Sequence, residues 1–229
     1  MKAVILAAGK GDRLKEITSR IPKPMIEFRG KPVLEHNIAL CKQFGVTDIC
    51  INTHHLHHVI QNYFGDGKKF GVSLHFSYEQ TLLGTAGAVK SFSSHLGEDP
   101  FFVIYGDNYS NYNLQLLREK QQKTGAVAVM GFHWREYTAE SGVAELDQKG
   151  KILRFIEKPK PGESASHWVN AGVYYLQSEI YSYIPIGFAD FAKDVFPKLL
   201  TDGKELYGVC SQTDVRAFDT PEMYNKSIE

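Results

Sequence analysis

The chain begins with an unbroken apolar run, Lys2–Ala7, the pattern of a strand buried on both faces. Pro32–Phe44 then sets Val33, Leu34, Ile38, Cys41 and Phe44 near helical spacing, and Gly45 follows as a stop signal. The alternation continues. Asp48–Asn52, Val72–Phe76, Phe101–Tyr105 and Ala126–Phe132 read as strands; Leu56–Phe64, stopped by Gly65-Asp66-Gly67, Thr85–Phe92 and Leu114–Lys123 read as helices. Strands that alternate with helices predict a parallel sheet covered on both faces.

After residue 132 the rhythm changes. Gly142–Leu146 and Lys151–Glu157 flank a Gln148-Lys149-Gly150 turn and predict a hairpin. A Pro-rich loop, Lys158–Gly162, precedes a strand at Trp168–Leu176. A helix over Ala189–Leu200, a strand at Leu206–Cys210 and a short closing helix at Pro221–Ser227, with proline in its first turn, complete the pattern. No repeat, low-complexity tract or linker interrupts it, so the 229 residues are expected to form one domain.

Composition narrows the function. Lys plus Arg and Asp plus Glu both number 26, which argues against a nucleic-acid partner held by bulk charge but leaves room for a local basic pocket. With 43% hydrophobic and 23% charged residues the chain has ample material for a core. The apolar run Ala3–Ala8 is too short for a secretory or membrane segment, and no later stretch approaches the ~20 residues of a span. Cys41, Cys50 and Cys210 are too few and too scattered for a disulfide scaffold or a four-thiolate zinc site. The expectation is a cytoplasmic protein with no membrane or nucleic-acid partner.

Two motifs carry candidate chemistry. Leu6-Ala7-Ala8-Gly9-Lys10-Gly11-Asp12-Arg13-Leu14 follows the first strand directly. Glycines there let backbone N–H groups approach an anion, with Lys and Arg nearby. A dinucleotide fingerprint would need glycine where Leu14 stands, and no Gly-Lys-Ser/Thr of a P-loop is present. By itself the motif also fits a glycine-rich turn with a surface arginine. In Ile21-Pro22-Lys23-Pro24-Met25, two prolines fix the backbone around Lys23 and aim its ammonium at low entropic cost. Asp107 ends an apolar strand, where open α/β sheets place ligands, although by itself it fits a turn or helix-cap residue better, since Asp is common at such places. Asp219 alone reads as the N-cap of the last helix. In Asn52-Thr53-His54-His55-Leu56-His57-His58 the helical pairs His54/His58 and His55/His58 could face a metal, but with no Cys or carboxylate nearby they fit solvent or a pocket edge better.

Together these segments resemble a family. Leu-Ala-Ala-Gly-x-Gly-x-Arg-Leu followed by Pro-Lys-Pro is similar to the signature of sugar-1-phosphate nucleotidyltransferases, also called NDP-sugar pyrophosphorylases. Leu83-Gly84-Thr85-Ala86-Gly87-Ala88 resembles their base-contacting turn, and Tyr105-Gly106-Asp107 their metal-binding strand end. Phe155-Ile156-Glu157-Lys158-Pro159 and Val169-Asn170-Ala171-Gly172 resemble their sugar-binding segments. Phe218-Asp219-Thr220-Pro221-Glu222 resembles their C-terminal metal motif, usually written with glycine before the threonine. The likeness runs from residue 1 to about 224.

The resemblance implies a mostly parallel central sheet in a Rossmann-like three-layer sandwich with a small β-rich sugar-binding insertion. Residues 1–132 would be mainly nucleotide-binding and 133–229 mainly sugar-binding and closing. It implies transfer of a nucleotidyl group from a nucleoside triphosphate to a sugar 1-phosphate, with Arg13, Lys23 and Asp107 catalytic and Asp107 and Asp219 holding Mg²⁺. Leu6, Ala7, Ala8, Gly9, Gly11, Glu79, Gly84 and Thr85 would bind the nucleotide; Gly142, Glu157, Lys158 and Asn170 would bind the sugar. The Leu-Gly-Thr-Ala-Gly turn and Glu79 point to GTP with a heptose or mannose 1-phosphate, in a monomer or homodimer, whereas the short chain resembles both heptose 1-phosphate guanylyltransferases and short uridylyltransferases acting on muramic acid-type sugars. UTP or dTTP transfer, CTP transfer to a phosphorylated alcohol, and a non-catalytic nucleotide-sugar sensor are the alternatives. Asp12 departs from the family pattern, and could pair with Lys10 or Arg13 or help hold a second metal.

Overall fold

The computed structural model describes residues 1–228, so the last residue of the expected domain, 229, lies outside the described residues. Two compact units interleave along the chain. The first takes in Met1–Leu82, Ile104–Asn111 and the segment from Asp214 onward; the second takes in Leu83–Val103 and Tyr112–Thr213.

In the first unit the strand Lys2–Leu6 pairs in parallel with Asp48–Thr53, which pairs in parallel with Ser73–Tyr78. Val4 sits opposite Cys50, and Ala3, Val4, Ile5, Ile49, Cys50 and Ile51 are wholly shielded from water. This is why these strands read as continuous apolar runs and not as alternating ones. Helices Val33–Gln43 and His57–Phe64 follow the first and second of these strands, close to where the spacing puts them. Burial pushes the Cys41 and Cys50 thiols up to about 12, so they pack as small apolar groups. A short hairpin, Glu27–Phe28 with Lys31–Pro32, turns through Arg29 and Gly30, both with positive φ. Asn108–Ser110 pairs antiparallel with Val215–Ala217.

In the second unit Gly142–Leu146 and Ile152–Glu157 form the expected hairpin, with Glu157 opposite Gly142 and an irregularity between Ile152 and Arg154. Trp168–Leu176 runs antiparallel to Ala128–Trp134, and Leu206–Ser211 runs parallel to that same strand. The register slips between Asn170 and Tyr174, where Gly172 adopts φ +69°. Helices Gly84–Ser91 and Leu114–Thr124 complete this unit's longer elements, the second capped by the Asn113 side chain.

One expected helix differs. Ala189–Leu200 is not a single α-helix: Phe191–Val195 forms a π-turn and Phe196–Thr201 an α-turn after it. Pro197 has no N–H to give, and its ring crowds the carbonyl four residues back. The ladder widens instead, and the Phe196 N–H donates to Phe191 O. No helix among the described residues is long and apolar enough to cross a membrane.

Candidate active site

The glycine loop leaves the first strand and enters two short helical turns, Asp12–Leu14 and Lys15–Thr18. The Thr18 hydroxyl lies 2.9 Å from Gly11 O and 3.0 Å from Leu14 O, which it can serve as a shared donor. Gly11 has φ +68°, and a Cβ there would lie 2.6 Å from Thr18 Cγ2, so the loop's own packing requires glycine. Gly9 is different. It has no left-handed φ, and a Cβ there would meet nothing within 4 Å. Its backbone therefore faces open space. Leu6 and Ala8 are buried; the Ala7 N–H is already committed, donating to Asn52 Oδ1 at 2.8 Å.

Three segments distant in sequence meet through their apolar neighbours. Leu14, Ile26, Phe28, Val33 and Phe218 form one buried cluster, with the Phe28 and Phe218 rings 5.7 Å apart. Leu14 follows Arg13, Ile26 follows the Pro-Lys-Pro turn and Phe218 precedes Asp219, so packing these hydrophobes delivers the three charged groups to one place. Asp107 arrives by register. Ala217 pairs with Asn108, which puts Asp107 and Asp219 just beyond the same end of that two-stranded ladder. Gly106 allows the approach: its N–H donates to Leu6 O at 2.9 Å, and a Cβ there would lie 2.9 Å from that oxygen.

Lys23 is the hub. Its side chain is 5% exposed, and Nζ donates to Asp107 Oδ2 at 2.5 Å and to Asp219 Oδ1. Burial by itself would lower the lysine pKa. Attraction to Asp107 and then Asp219, with a hydrogen bond to each, outweighs burial and holds it above the ordinary value. Arg13 stays 58% exposed, with Nη2 3.4 Å from Asp219 Oδ1; its guanidinium reaches toward this carboxylate and not toward Asp12. The N-cap role open to Asp219 falls to its neighbour, for Thr220 Oγ1 accepts the Met223 N–H at 3.2 Å.

A second polar group lies along the ends of the next two strands. Asn52 accepts from Ala7 and donates from Nδ2 to Glu79 Oε1 at 2.8 Å, and both side chains are buried. Because the Ala7 N–H can only donate, the Asn52 amide has one orientation. His54 Nδ1 bonds Glu79 O at 2.7 Å and His55 Nε2 bonds Thr18 O at 2.8 Å, so each imidazole commits one ring nitrogen to tying loops together. His57 packs against the Tyr78 ring at 4.5 Å. Glu79 is 4% exposed, which makes it a strut between strand ends more than an open base contact. Asn52→Ala leaves a buried N–H and a buried carboxylate oxygen without this partner. The expected cost is about 2–4 kcal/mol, read from urea unfolding; an unchanged midpoint would show the strut to be dispensable.

The second unit holds the remaining candidates. A Cβ at Gly142 would lie 2.7 Å from Glu157 Oε2, so glycine there makes room for that carboxylate. Burial raises the Glu157 pKa, Asp190 adds to this, and Lys158 and Lys193 oppose it. Lys158 takes φ +54°, unusual for a lysine, and its N–H donates to Ser141 O at 3.2 Å. Asn170 is engaged within its own strand, donating to Tyr174 Oη at 2.7 Å and accepting from the Gly172 N–H at 2.9 Å.

Thr85 is also engaged. Its hydroxyl donates to Asp190 Oδ2 at 3.0 Å and accepts the Phe191 N–H at 2.9 Å. Ala189 O accepts from the Ala86 and Gly87 N–H groups, which would otherwise be unpaired at the start of that helix. The Leu-Gly-Thr-Ala-Gly turn is thus moulded on residues 187–191. Asp190, whose Oδ1 accepts from Ala192 and Lys193, organises this contact and was not among the expected site residues. Its signal in the sequence is an Asp directly ahead of a helical pattern, the mark of an N-cap.

Known proteins resemble this chain in sequence and fold. A family model described as nucleotidyl transferase matches residues 2–215. A UTP–glucose-1-phosphate uridylyltransferase of Synechocystis is 38% identical over 223 residues, which cover 91% of this chain and 58% of that protein. A probable mannose-1-phosphate guanylyltransferase of Oryza sativa is 32% identical over 207 residues, 88% of this chain and 57% of that one. The chain thus spans a little under three fifths of the length of these relatives. Among solved structures, a Bacillus anthracis protein described as a candidate glucose-1-phosphate thymidylyltransferase superposes with TM-score 0.89 at 26% identity, covering 99% of this chain and 93% of that one. HddC of Yersinia pseudotuberculosis superposes with TM-score 0.83 at 24% identity, over 99% of this chain and 97% of that one, and shares the mixed α/β fold with a largely parallel central sheet. With its glycine loop, Lys23 and Asp107 all inside the matched residues 2–215, the chain belongs to the nucleotidyl transferase family.

Proposed function

We propose that the protein transfers a nucleotidyl group from a nucleoside triphosphate to a sugar 1-phosphate, releasing pyrophosphate. The observation that carries this reading is the convergence of Lys23, Asp107, Asp219 and Arg13 beside a glycine loop with open backbone at Gly9. A phosphate oxygen of the sugar attacks the α-phosphorus, the bond to the bridging oxygen breaks, and pyrophosphate departs. The attacking oxygen is already anionic, so the site needs no general base. Its task is to bring two polyanions together and to stabilise the charge between them.

Arg13 suits the departing phosphates, since an exposed guanidinium fork matches phosphate oxygens in pairs. Lys23 screens the repulsion between the α-phosphate and the attacking phosphate. Asp107 and Asp219 fit a divalent cation by their chemistry: two hard carboxylates already share one positive charge, the Lys23 ammonium, which stands in for the ion. Bound there, Mg²⁺ would neutralise phosphate charge. In the second unit Glu157 offers an acceptor for sugar hydroxyls and Lys158 a cation for the sugar phosphate.

The guanine preference expected from Glu79 loses its geometric support, because that carboxylate is buried and accepts from Asn52. UTP with glucose 1-phosphate, the pair named in the Synechocystis relative, is therefore the first arm of the test, and GTP with mannose or heptose 1-phosphate the second. Pyrophosphate release is measured with Mg²⁺ across four nucleoside triphosphates and a panel of sugar 1-phosphates. One pair is expected to exceed the others by at least roughly tenfold, about the discrimination of 1.4 kcal/mol. Silence across the panel would overturn the reading.

A further inference from the structure

Lys23 is the buried lysine among the described residues, and its ammonium sits between the two carboxylates proposed as cation ligands. Its backbone is held on both sides, by Pro22 in extended conformation and by Pro24 within the Lys23–Met25 turn. What the prolines leave unfixed is the torsions of the buried four-carbon stem, which carries the ammonium as a point charge. We infer that Lys23 is the positioning residue of the carboxylate pair, its ammonium keeping the place that a divalent cation takes, and that the cation enters by displacing it.

The physical grounds are steric and electrostatic. Nζ lies 2.5 Å from Asp107 Oδ2 and is also hydrogen-bonded to Asp219 Oδ1. A Mg²⁺ ion needs its carboxylate oxygens at about 2.0–2.1 Å, so it cannot take the place between Asp107 Oδ2 and Asp219 Oδ1 while the ammonium is bonded to both. With neither cation present, only the exposed Arg13 guanidinium, 3.4 Å from Asp219 Oδ1, would offset the repulsion between the two carboxylates. The ammonium thus preserves the geometry of the pair, and a cation must break two charge-assisted hydrogen bonds to enter. Binding of the cation alone is consequently weak. It also frees the lysine, and on the reading above the freed ammonium is then available to the phosphates. The inference rests on that reading only in taking Asp107 and Asp219 as cation ligands.

The test uses Mn²⁺ as the probe on the full chain without nucleotide, followed by electron paramagnetic resonance. Lys23→Met is expected to bind Mn²⁺ at least tenfold more tightly than the wild type, whereas Lys23→Arg, which retains a cation between the carboxylates, binds no more tightly than the wild type. Equal or weaker binding by Lys23→Met overturns the inference, as does absence of Mn²⁺ binding in every variant. Should Lys23→Met fold only when Mn²⁺ is present, that dependence supports it. The wild type supplies an arm independent of folding. A slowly exchanging ε-ammonium ¹⁵N signal is expected without metal and lost with saturating Mg²⁺; a signal that Mg²⁺ leaves unchanged overturns displacement. A chain that releases pyrophosphate but binds Mn²⁺ equally in both forms keeps the transferase reading and loses this one. A chain silent in turnover that shows the Mn²⁺ difference does the reverse.

Discussion

Asp107→Asn is expected to lower pyrophosphate release by roughly 10²–10³-fold or more, the range seen when one electrostatic element of a preorganised site is removed. The amide keeps the shape of the side chain but loses the charge that a hard cation requires. The fold should survive. Lys23 retains Asp219 as a partner, and Asp107 is 28% exposed, so water already tempers the loss. A decrease of about 1–2 kcal/mol is expected in thermal unfolding. Turnover and melting temperature measured on the same preparation separate the two effects. Wild-type turnover in this variant would remove Asp107 from the chemistry.

The largest effect on stability is expected from Gly84→Ala. Gly84 has φ +74°, and an added Cβ would fall well inside contact distance of the Ala189 carbonyl oxygen. The left-handed backbone costs a non-glycine residue about 1–2 kcal/mol. Crowding against a fixed carbonyl adds about 1–3 kcal/mol, because no flexible side chain can yield. That carbonyl already accepts from Ala86 and Gly87, so it cannot retreat without abandoning the start of the helix. At ~2–4 °C per kcal/mol for a chain of this size, the melting temperature should fall by roughly 10 °C. A shift under a few degrees would mean that the 187–191 segment is free to move away.

The Gly84 result bears on how a motif is read. From sequence, the Leu-Gly-Thr-Ala-Gly turn is assigned to the nucleotide base by resemblance. In the structure its two glycines make room for residues 187–191, and its threonine hydroxyl serves Asp190 and the Phe191 N–H. Nothing local in residues 83–88 announces a partner a hundred positions away. Asn170 is similar, since its amide is spent on the irregular strand that holds it.

Elements buried on both faces, such as Lys2–Leu6 and Asp48–Thr53, were legible because a continuous apolar run has few other homes. So was the hairpin of Gly142–Glu157, marked by its turn residues. The ladder of Asn108–Ser110 with Val215–Ala217 was not, for each strand is three residues long and carries no period. The π-turn at Phe191–Val195 was missed because it depends on how Pro197 and the Asp190 cap share a ladder, which hydrophobic spacing does not encode.

By itself, the sequence determined which groups were candidates: a glycine loop, a proline-flanked lysine, an arginine and two aspartates. Their chemistry is a property of the side chains, and their motifs are local. Only the tertiary structure decided that the lysine ammonium lies between the two carboxylates. That position depends on the register of Ala217 opposite Asn108 and on the shared burial of Leu14, Ile26 and Phe218. Both are long-range pairings, won by the apolar surface they remove from water and not by any preference of the residues that carry the charge.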